Sequence, residues 1–213
     1  MNTPAKAILV HAGSAATART DSLLRDHLAA LETLPRRALS LPSSDAPAPS
    51  IAAFVELWGT RRALRAAIAE WPEPAAAWLV DEFLPADARR TWPSGQQSPG
   101  VRLVSSVFRR PELDRAAFAH HWRTRHAEIA MSYTIPVWRY GQNVVVEALG
   151  RHEGEDGFAV LHFRTREDLA ARWAQYPEEA RRGAQDAALF MDGNRGWSVT
   201  MMETLWKRDQ YHE

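Results

Sequence analysis

The feature that most restricts what this chain can fold into is an order of elements written twice. In the first half, apolar periodicity predicts strands over KAILVHA, RRALSL, SIAAFVELW and AAWLVDEFL, with helices over DSLLRDHLAALETL and TRRALRAAIAEW. In the second half it predicts strands over VRLVSSVF, VWRYGQNVVVEA, GFAVLHF and WSVTMMETLW, with helices over LDRAAFAHHWRTRHAEIAMS and TREDLAARWAQY. Each half therefore reads strand, helix, strand, strand, helix, strand. Two details mark the halves as copies: each last strand carries one acid, Glu82 and Glu203, and each first helix carries a polar-His pair, Asp26-His27 and His120-His121.

That order is the ferredoxin-like α+β unit. In WSVTMMETLW, Trp197, Val199, Met201 and Leu205 share one face while Met202 and Trp206 occupy the other, and GFAVLHF is apolar on both faces too. A sheet that must hide both faces needs helices on one side and a second sheet on the other. The expectation is two tandem ferredoxin-like repeats set face to face with helices outward, an intrachain α/β barrel of the dimeric type. The stretch 85–100, PADARRTWPSGQQSPG, crowds Pro, Gly, Ser and Gln without apolar periodicity and reads as the boundary. The domains are then 1–90, a linker at 91–100, and 101–213.

Charge narrows the partners. The 26 basic and 26 acidic side chains cancel, with ten of each before Val101 and sixteen of each from there on. Neither half has the clustered excess of Lys and Arg on which nucleic-acid or anionic-membrane binding draws. The absence of cysteine removes disulfides, thiol nucleophiles and Zn-thiolate sites, and a cytoplasmic home is the expectation. The apolar run Ala7–Val10 is too short for a signal-peptide core, and no stretch approaches the roughly 20 apolar residues of a membrane span. Dinucleotide, P-loop, zinc-peptidase and serine-hydrolase motifs are missing as well.

The chemistry-bearing residues gather in the second half. At about 100° per residue, Phe118, Trp122, Ile129 and Tyr133 fall in one stripe about 60° wide. His126 lies about 20° beyond its edge and faces the sheet; His121 sits about 60° off the opposite flank, and His120 points to water. A histidine placed like His126 is either a packed core residue or a proton carrier in a cleft. The spacings of five and six among these histidines argue against a shared metal, for which i and i+4 is the helical pairing. Strand alternation puts Trp138, Tyr140 and Gln142 on one face of the following strand and Arg139, Gly141 and Asn143 on the other. Tyr140 reads as a substrate-orienting phenol or a core tyrosine, and Asn143 as a substrate contact or a backbone cap. Asp186 reads as an orienter of an imidazole or a solvated helical acid.

Taken together, FRRPELDRAAFAHHWRTRHAEIA, WRYGQNVVVEA, DGFAVLHF and the helical Asp186-x-x-x-Phe190 resemble the EthD family over residues 101–207. The first half is similar mainly through FVELWG. The resemblance implies a ferredoxin-like fold pairing into a dimeric α/β barrel, and chemistry without a cofactor or metal. It also implies a small-molecule substrate and leaves open a homodimer of such pseudo-dimeric chains. The catalytic candidates it points to are His126, His121 and Asp186, with Tyr140, Asn143, Trp122, Trp138 and His162 binding substrate. The second half departs from the family at Val160-Leu161-His162, where an acid is usual, so Glu56 of the first repeat is a candidate to supply it. The leading expectation is a cofactor-independent lyase, decarboxylating or dehydrating an aromatic or polyketide-like molecule with a His acid/base. The alternatives are an oxygenase or oxidoreductase of the ferredoxin-like barrel type, cofactorless or haem-dependent, and a protein that only binds its ligand.

Overall fold

The computed structural model describes residues 4–13, 18–44, 51–72, 75–133, 137–150 and 152–207. The first repeat contributes β1 (Pro4–Ala12), α1 (Ala18–Ala30), β2 (Arg36–Pro42), β3 (Ile51–Thr60), α2 (Arg61–Ala69) and β4 (Ala76–Asp87). The second contributes β5 (Val101–Val107), α3 (Arg115–His121), a π-turn (Trp122–His126), α4 (Ala127–Met131), β6 (Arg139–Ala148), β7 (Gly157–Phe163), α5 (Arg166–Ala174), α6 (Pro177–Ala187) and β8 (Ser198–Lys207). Helix α6 has no counterpart in the first repeat among the described residues. No described helix is long and apolar enough to cross a membrane.

The eight strands close into one antiparallel barrel in the order β1-β3-β2-β8-β5-β7-β6-β4, with β4 returning to β1. Each repeat supplies four consecutive staves, and the seams between repeats are β2 on β8 and β4 on β6. Closure leaves no free sheet edge. The registers make the duplication explicit. Lys6 faces Trp58 and Val80 as Arg102 faces His162 and Met201, and Arg36 pairs with Trp58 as Arg139 pairs with His162. The two acids noted in the sequence, Glu82 and Glu203, each stand two residues past these partners, in matching places.

Because strand side chains alternate, half of them point into the barrel. One end of the interior is apolar: Ile8, Phe54, Trp78, Val104, Phe158, Val160 and Met201 pack there. The other end is ionic. Glu56 lies 2.7 Å from Lys6 Nζ and 2.6 Å from Arg102 Nη2, and Glu203 receives Arg90 at 2.6 Å and Arg102 at 3.0 Å. Glu82 receives Lys6 at 2.6 Å and Arg139 at 2.9 Å. Burial alone would raise these carboxyls; the adjacent cations outweigh it, bringing Glu56 down to about 2 and holding Glu82 and Glu203 well below the usual range.

The boundary segment is less loose than its composition suggests. Trp92 stacks on Trp138 at 5.3 Å, Ser98 donates to Glu203 at 2.7 Å, and Gln97 bridges to Thr204. It runs along β8 and covers the ionic end of the barrel.

Candidate functional site

Outside the barrel wall, the two repeats differ in how the space between helices and sheet is filled. Under α1 and α2 it holds a buried apolar cluster of Leu9, Leu24, Leu28, Leu39, Val55, Leu57, Leu64 and Leu79. Under α3, α4 and α6 there is a cavity of about 600 Å³. The register tells why: Leu9 pairs with Val55 and Val55 with Leu39, and at the matching places of the second repeat Ser105 pairs with Ala159 and Ala159 with Gln142. Three large apolar side chains are thus replaced by two small ones and an amide. On the helical side Ala180, Gly183, Ala184 and Ala187 of α6 keep the opposing wall low, and Trp122, His126, Tyr133, Tyr140 and Arg172 complete it.

The helix that brings Trp122 and His126 to this wall starts at Asp114, whose side chain accepts the Ala117 N–H at 2.7 Å as an N-cap. Its regular winding breaks at the π-turn. The Ala127 N–H reaches back five residues to the Trp122 carbonyl, which also accepts the Gln142 side-chain amide at 2.9 Å. Residues five apart then lie nearly above one another. His121 and His126 consequently meet on one buried carboxylate: His121 Nε2 is 3.1 Å from Asp186 Oδ1, and His126 Nδ1 is 3.0 Å from Asp186 Oδ2. Arg125 Nε approaches the same Oδ1 at 2.9 Å. Phe190, the i+4 partner of Asp186, lies with its ring centroid 5.0 Å from both imidazoles.

The geometry separates the candidates. His126 lines the cavity, and its Nε2 has no hydrogen-bond partner among the described residues. Burial pushes its imidazole below the ordinary value, more than the Asp186 carboxylate lifts it. Burial thus favours the neutral imidazole, and the carboxylate opposite Nδ1 favours the tautomer that carries its proton there. His121 stands behind it, on Asp186 and against Phe190, outside the cavity lining. Trp122 and Tyr140 line the cavity and touch each other: Trp122 Nε1 donates to Tyr140 Oη at 3.3 Å. No group of three His, Asp or Glu side chains among the described residues forms a metal-ligand set.

Asn143, His162 and Trp138 do not line this cavity. Asn143 points into the barrel, accepts Lys6 Nζ at 2.7 Å and donates to the Phe158 carbonyl. His162 is on the same interior face, with Nε2 2.8 Å from the Pro99 carbonyl, and burial lowers its imidazole to about 4. Trp138 packs at the barrel end between Trp92 and His162. Glu56 is likewise interior and cannot supply an acid to the cavity.

The remaining motif residues have structural explanations. A Cβ on Gly157 would sit 2.5 Å from the Trp122 ring and 2.9 Å from the Asn143 carbonyl, so glycine is what lets Trp122 lie flat against β7. Asp156 accepts the Arg109 backbone N–H at 3.1 Å and its Nε at 3.0 Å, tying the end of β5 to the start of β7. Sequence reasoning missed Gln142, Arg172 and the meeting of His121 with His126. Glycine inside a strand pattern and a histidine spacing of five were the available signals, and the second was read with an α-helical period.

Comparison with known proteins agrees on the fold. The chain resembles an anthrone oxidase-like protein with a TM-score of 0.67 at 9% identity, over 97% of this chain and 94% of that one. It also resembles a monooxygenase-like protein from Fusobacterium nucleatum subsp. nucleatum, with a TM-score of 0.62 at 6% identity, over 96% and 94% of the two chains. A chlorite dismutase variant from Candidatus Nitrospira defluvii follows at 0.50 and 10% identity, over 92% and 91%. These are dimeric-type α/β barrels, and at such identities the likeness concerns the fold alone. No family model and no curated protein matches the sequence.

Proposed function

We propose that the protein is an oxidoreductase of the cofactor-independent oxygenase type, acting on a small, largely apolar aromatic substrate in the cavity of the second repeat. One observation carries this reading: His126, held through Nδ1 by Asp186, lines a largely apolar cavity of about 600 Å³, and its second nitrogen has no hydrogen-bond partner among the described residues. Such a base can take a proton from an activated CH or phenolic OH, and the walls keep water from quenching the electron-rich carbanion or phenolate. That species can pass electrons to O2. For an anthrone-type CH2 the overall change balances as CH2 plus O2 giving a carbonyl and water.

The names of the structural relatives, anthrone oxidase-like and monooxygenase-like, support oxidation over the lyase chemistry that the EthD resemblance suggests. His121 and Arg125 act through Asp186, and Trp122 and Gln142 hold Tyr140 against the substrate. A haem-dependent form of the same class would use His126, the one histidine on the cavity wall among the described residues, as the iron ligand. The haem would supply oxygen activation and reveal itself by a Soret band.

The test is oxygen uptake by colourless purified protein supplied with anthrone, following anthraquinone absorbance. Uptake that disappears in His126→Ala supports the reading. Substrate loss with CO2 or water release and no oxygen consumption would return the lyase assignment.

A further inference from the structure

The hydrogen bonds around Tyr140 leave one proton to account for. Gln142 Nε2 donates to the Trp122 carbonyl and to Tyr140 Oη, both at 2.9 Å. Turning the amide over would set two acceptor oxygens against each other at that carbonyl, so its orientation is fixed and both its hydrogens are used. Trp122 Nε1, which can only donate, also points at Tyr140 Oη, at 3.3 Å. The phenol oxygen thus accepts twice, and its own hydrogen must be given elsewhere. No acceptor for it lies among the described residues, and Tyr140, 2% exposed, stands on the cavity wall. Burial raises the phenol above its ordinary value, more than its two donors lower it, so the hydrogen stays on at neutral pH.

The first repeat shows the same place used for packing. Since Arg36 pairs with Trp58 as Arg139 pairs with His162, Tyr140 matches Arg37 and Gln142 matches Leu39. Arg37 donates to the Leu28 and Leu34 carbonyls, both at 2.9 Å, and so ties β2 to the end of α1 and the turn after it. At Tyr140 the neighbours are donors instead, which makes a packing position into one that offers a hydrogen to the cavity.

The ligand group that suits such a wall is one that only accepts. A hydroxyl or amine would bring a hydrogen of its own to a largely apolar surface, whereas a carbonyl oxygen takes the Tyr140 hydrogen and adds none. It also leaves His126 Nε2, on the same wall, for a C–H proton. We propose that Tyr140 selects the ligand of this cavity, an aryl ketone whose carbonyl oxygen receives the phenol hydrogen. The inference rests on reading the cavity as the substrate site. Of the two proton sources considered above it picks the C–H conjugated to a carbonyl, and it does not require that the reaction be oxygenation.

α-Tetralone, tetralin and 1-naphthol share an outline and differ in the group they present, and calorimetric titration of the full chain under nitrogen compares them. Tyr140→Phe should weaken α-tetralone by about tenfold, the worth of one buried hydrogen bond, and change tetralin by less than about twofold. 1-Naphthol, whose oxygen is a weaker acceptor, should lose less than the ketone. The infrared carbonyl stretch of bound α-tetralone reads the contact itself. It should lie below its frequency in hexane in the wild type and in Tyr133→Phe, which removes the other phenol of the wall among the described residues, and return toward the hexane value in Tyr140→Phe.

A packing role for Tyr140 would weaken ketone and hydrocarbon alike and leave the stretch in place, and either result overturns the proposal. So does a hexane-like stretch in the wild type, a low stretch that Tyr133→Phe abolishes, or a loss for 1-naphthol as large as that for the ketone. Should Tyr140→Phe not fold, because Gln142 and Trp122 lose their acceptor, the stretch in the wild type and in Tyr133→Phe decides. Binding is read here without oxygen and oxygen uptake above, so failure of the oxygenase reading and failure of this one are told apart.

Discussion

The two repeats share a fold and a register, yet one packs large apolar side chains where the other has a cavity. Under α1 and α2, Leu9, Leu39 and Val55 interlock with Leu24 and Leu28; under α3 and α6 the matching strand positions are Ser105, Gln142 and Ala159, and the space stays open. Duplication lets the first repeat concentrate on burying surface while the second carries polar groups that cost stability. The comparison teaches that the site is made by what was removed from the wall as much as by the histidines added to the helix.

The strongest way to break the comparison is to hollow the first repeat. Leu9→Ser with Val55→Ala removes two buried side chains from a dense cluster, and should cost about 4 to 6 kcal/mol by transfer and cavity terms together. The reverse change, Ser105→Leu with Ala159→Val, should fill the second repeat's cavity. It should leave the denaturant midpoint near wild type and abolish oxygen uptake with anthrone, which the narrowed space would no longer admit. Urea unfolding of both variants checks the asymmetry; equal destabilisation in the two directions would mean that the open space is not the cause.

A second contrast lies inside the barrel, where Trp58 of the first repeat is matched by His162 of the second. The lowered pKa of His162, about 4 against about 6.5 unfolded, means that the unfolded chain binds the proton first. Stability should fall as pH drops from 6.5 to 4, by on the order of 3 kcal/mol. Glu56, held to about 2, adds a further loss below pH 4.5, because the unfolded carboxyl protonates before the folded one. Chemical denaturation across pH should show both windows, and His162→Gln should remove only the upper one.

Next in size is Gly157→Ala. The added methyl meets the Trp122 ring and a backbone carbonyl, so the ring must move into the cavity, at a cost of roughly 1 to 3 kcal/mol. Gly141, the other glycine of the adjacent strand, has its nearest heavy atoms at 3.6 Å, and Gly141→Ala should be milder. Thermal melts of the pair measure the difference.

Much of the architecture was legible in the chain. Double-faced apolar strands such as GFAVLHF demanded cover on both sides, and Glu82 and Glu203 marked matching staves before any register was known. Asp186 and His126 were legible as a pair through the resemblance. The barrel's ionic interior was not: alternation put Asn143 on one face of β6, but only closure showed that this face looks inward at Lys6. The same holds for His162, since sequence periodicity gives a face and cannot say which side of the wall it meets. The meeting of His121 with His126 was hidden because the helix changes its period where they stand.

The smallest expected change in stability belongs to the residue with the largest expected change in turnover. His126 lines an open cavity, so His126→Ala enlarges that space and frees one oxygen of Asp186, which keeps His121 and Arg125. The melting temperature should shift by less than that of Gly157→Ala, whereas oxygen uptake should be lost. His120→Ala, at an exposed position on the same helix, should change neither. The pH profile sharpens the assignment. With the His126 pKa below its ordinary value, kcat/KM should rise with pH along an acid limb centred below about 6.5 and then level off. Asp186 raises that pKa against the burial that lowers it, so Asp186→Asn should move the limb further toward acid while lowering the plateau. A role confined to holding α3 and α6 together would lower stability in Asp186→Asn without moving the limb, and that outcome would remove His126 from the chemistry.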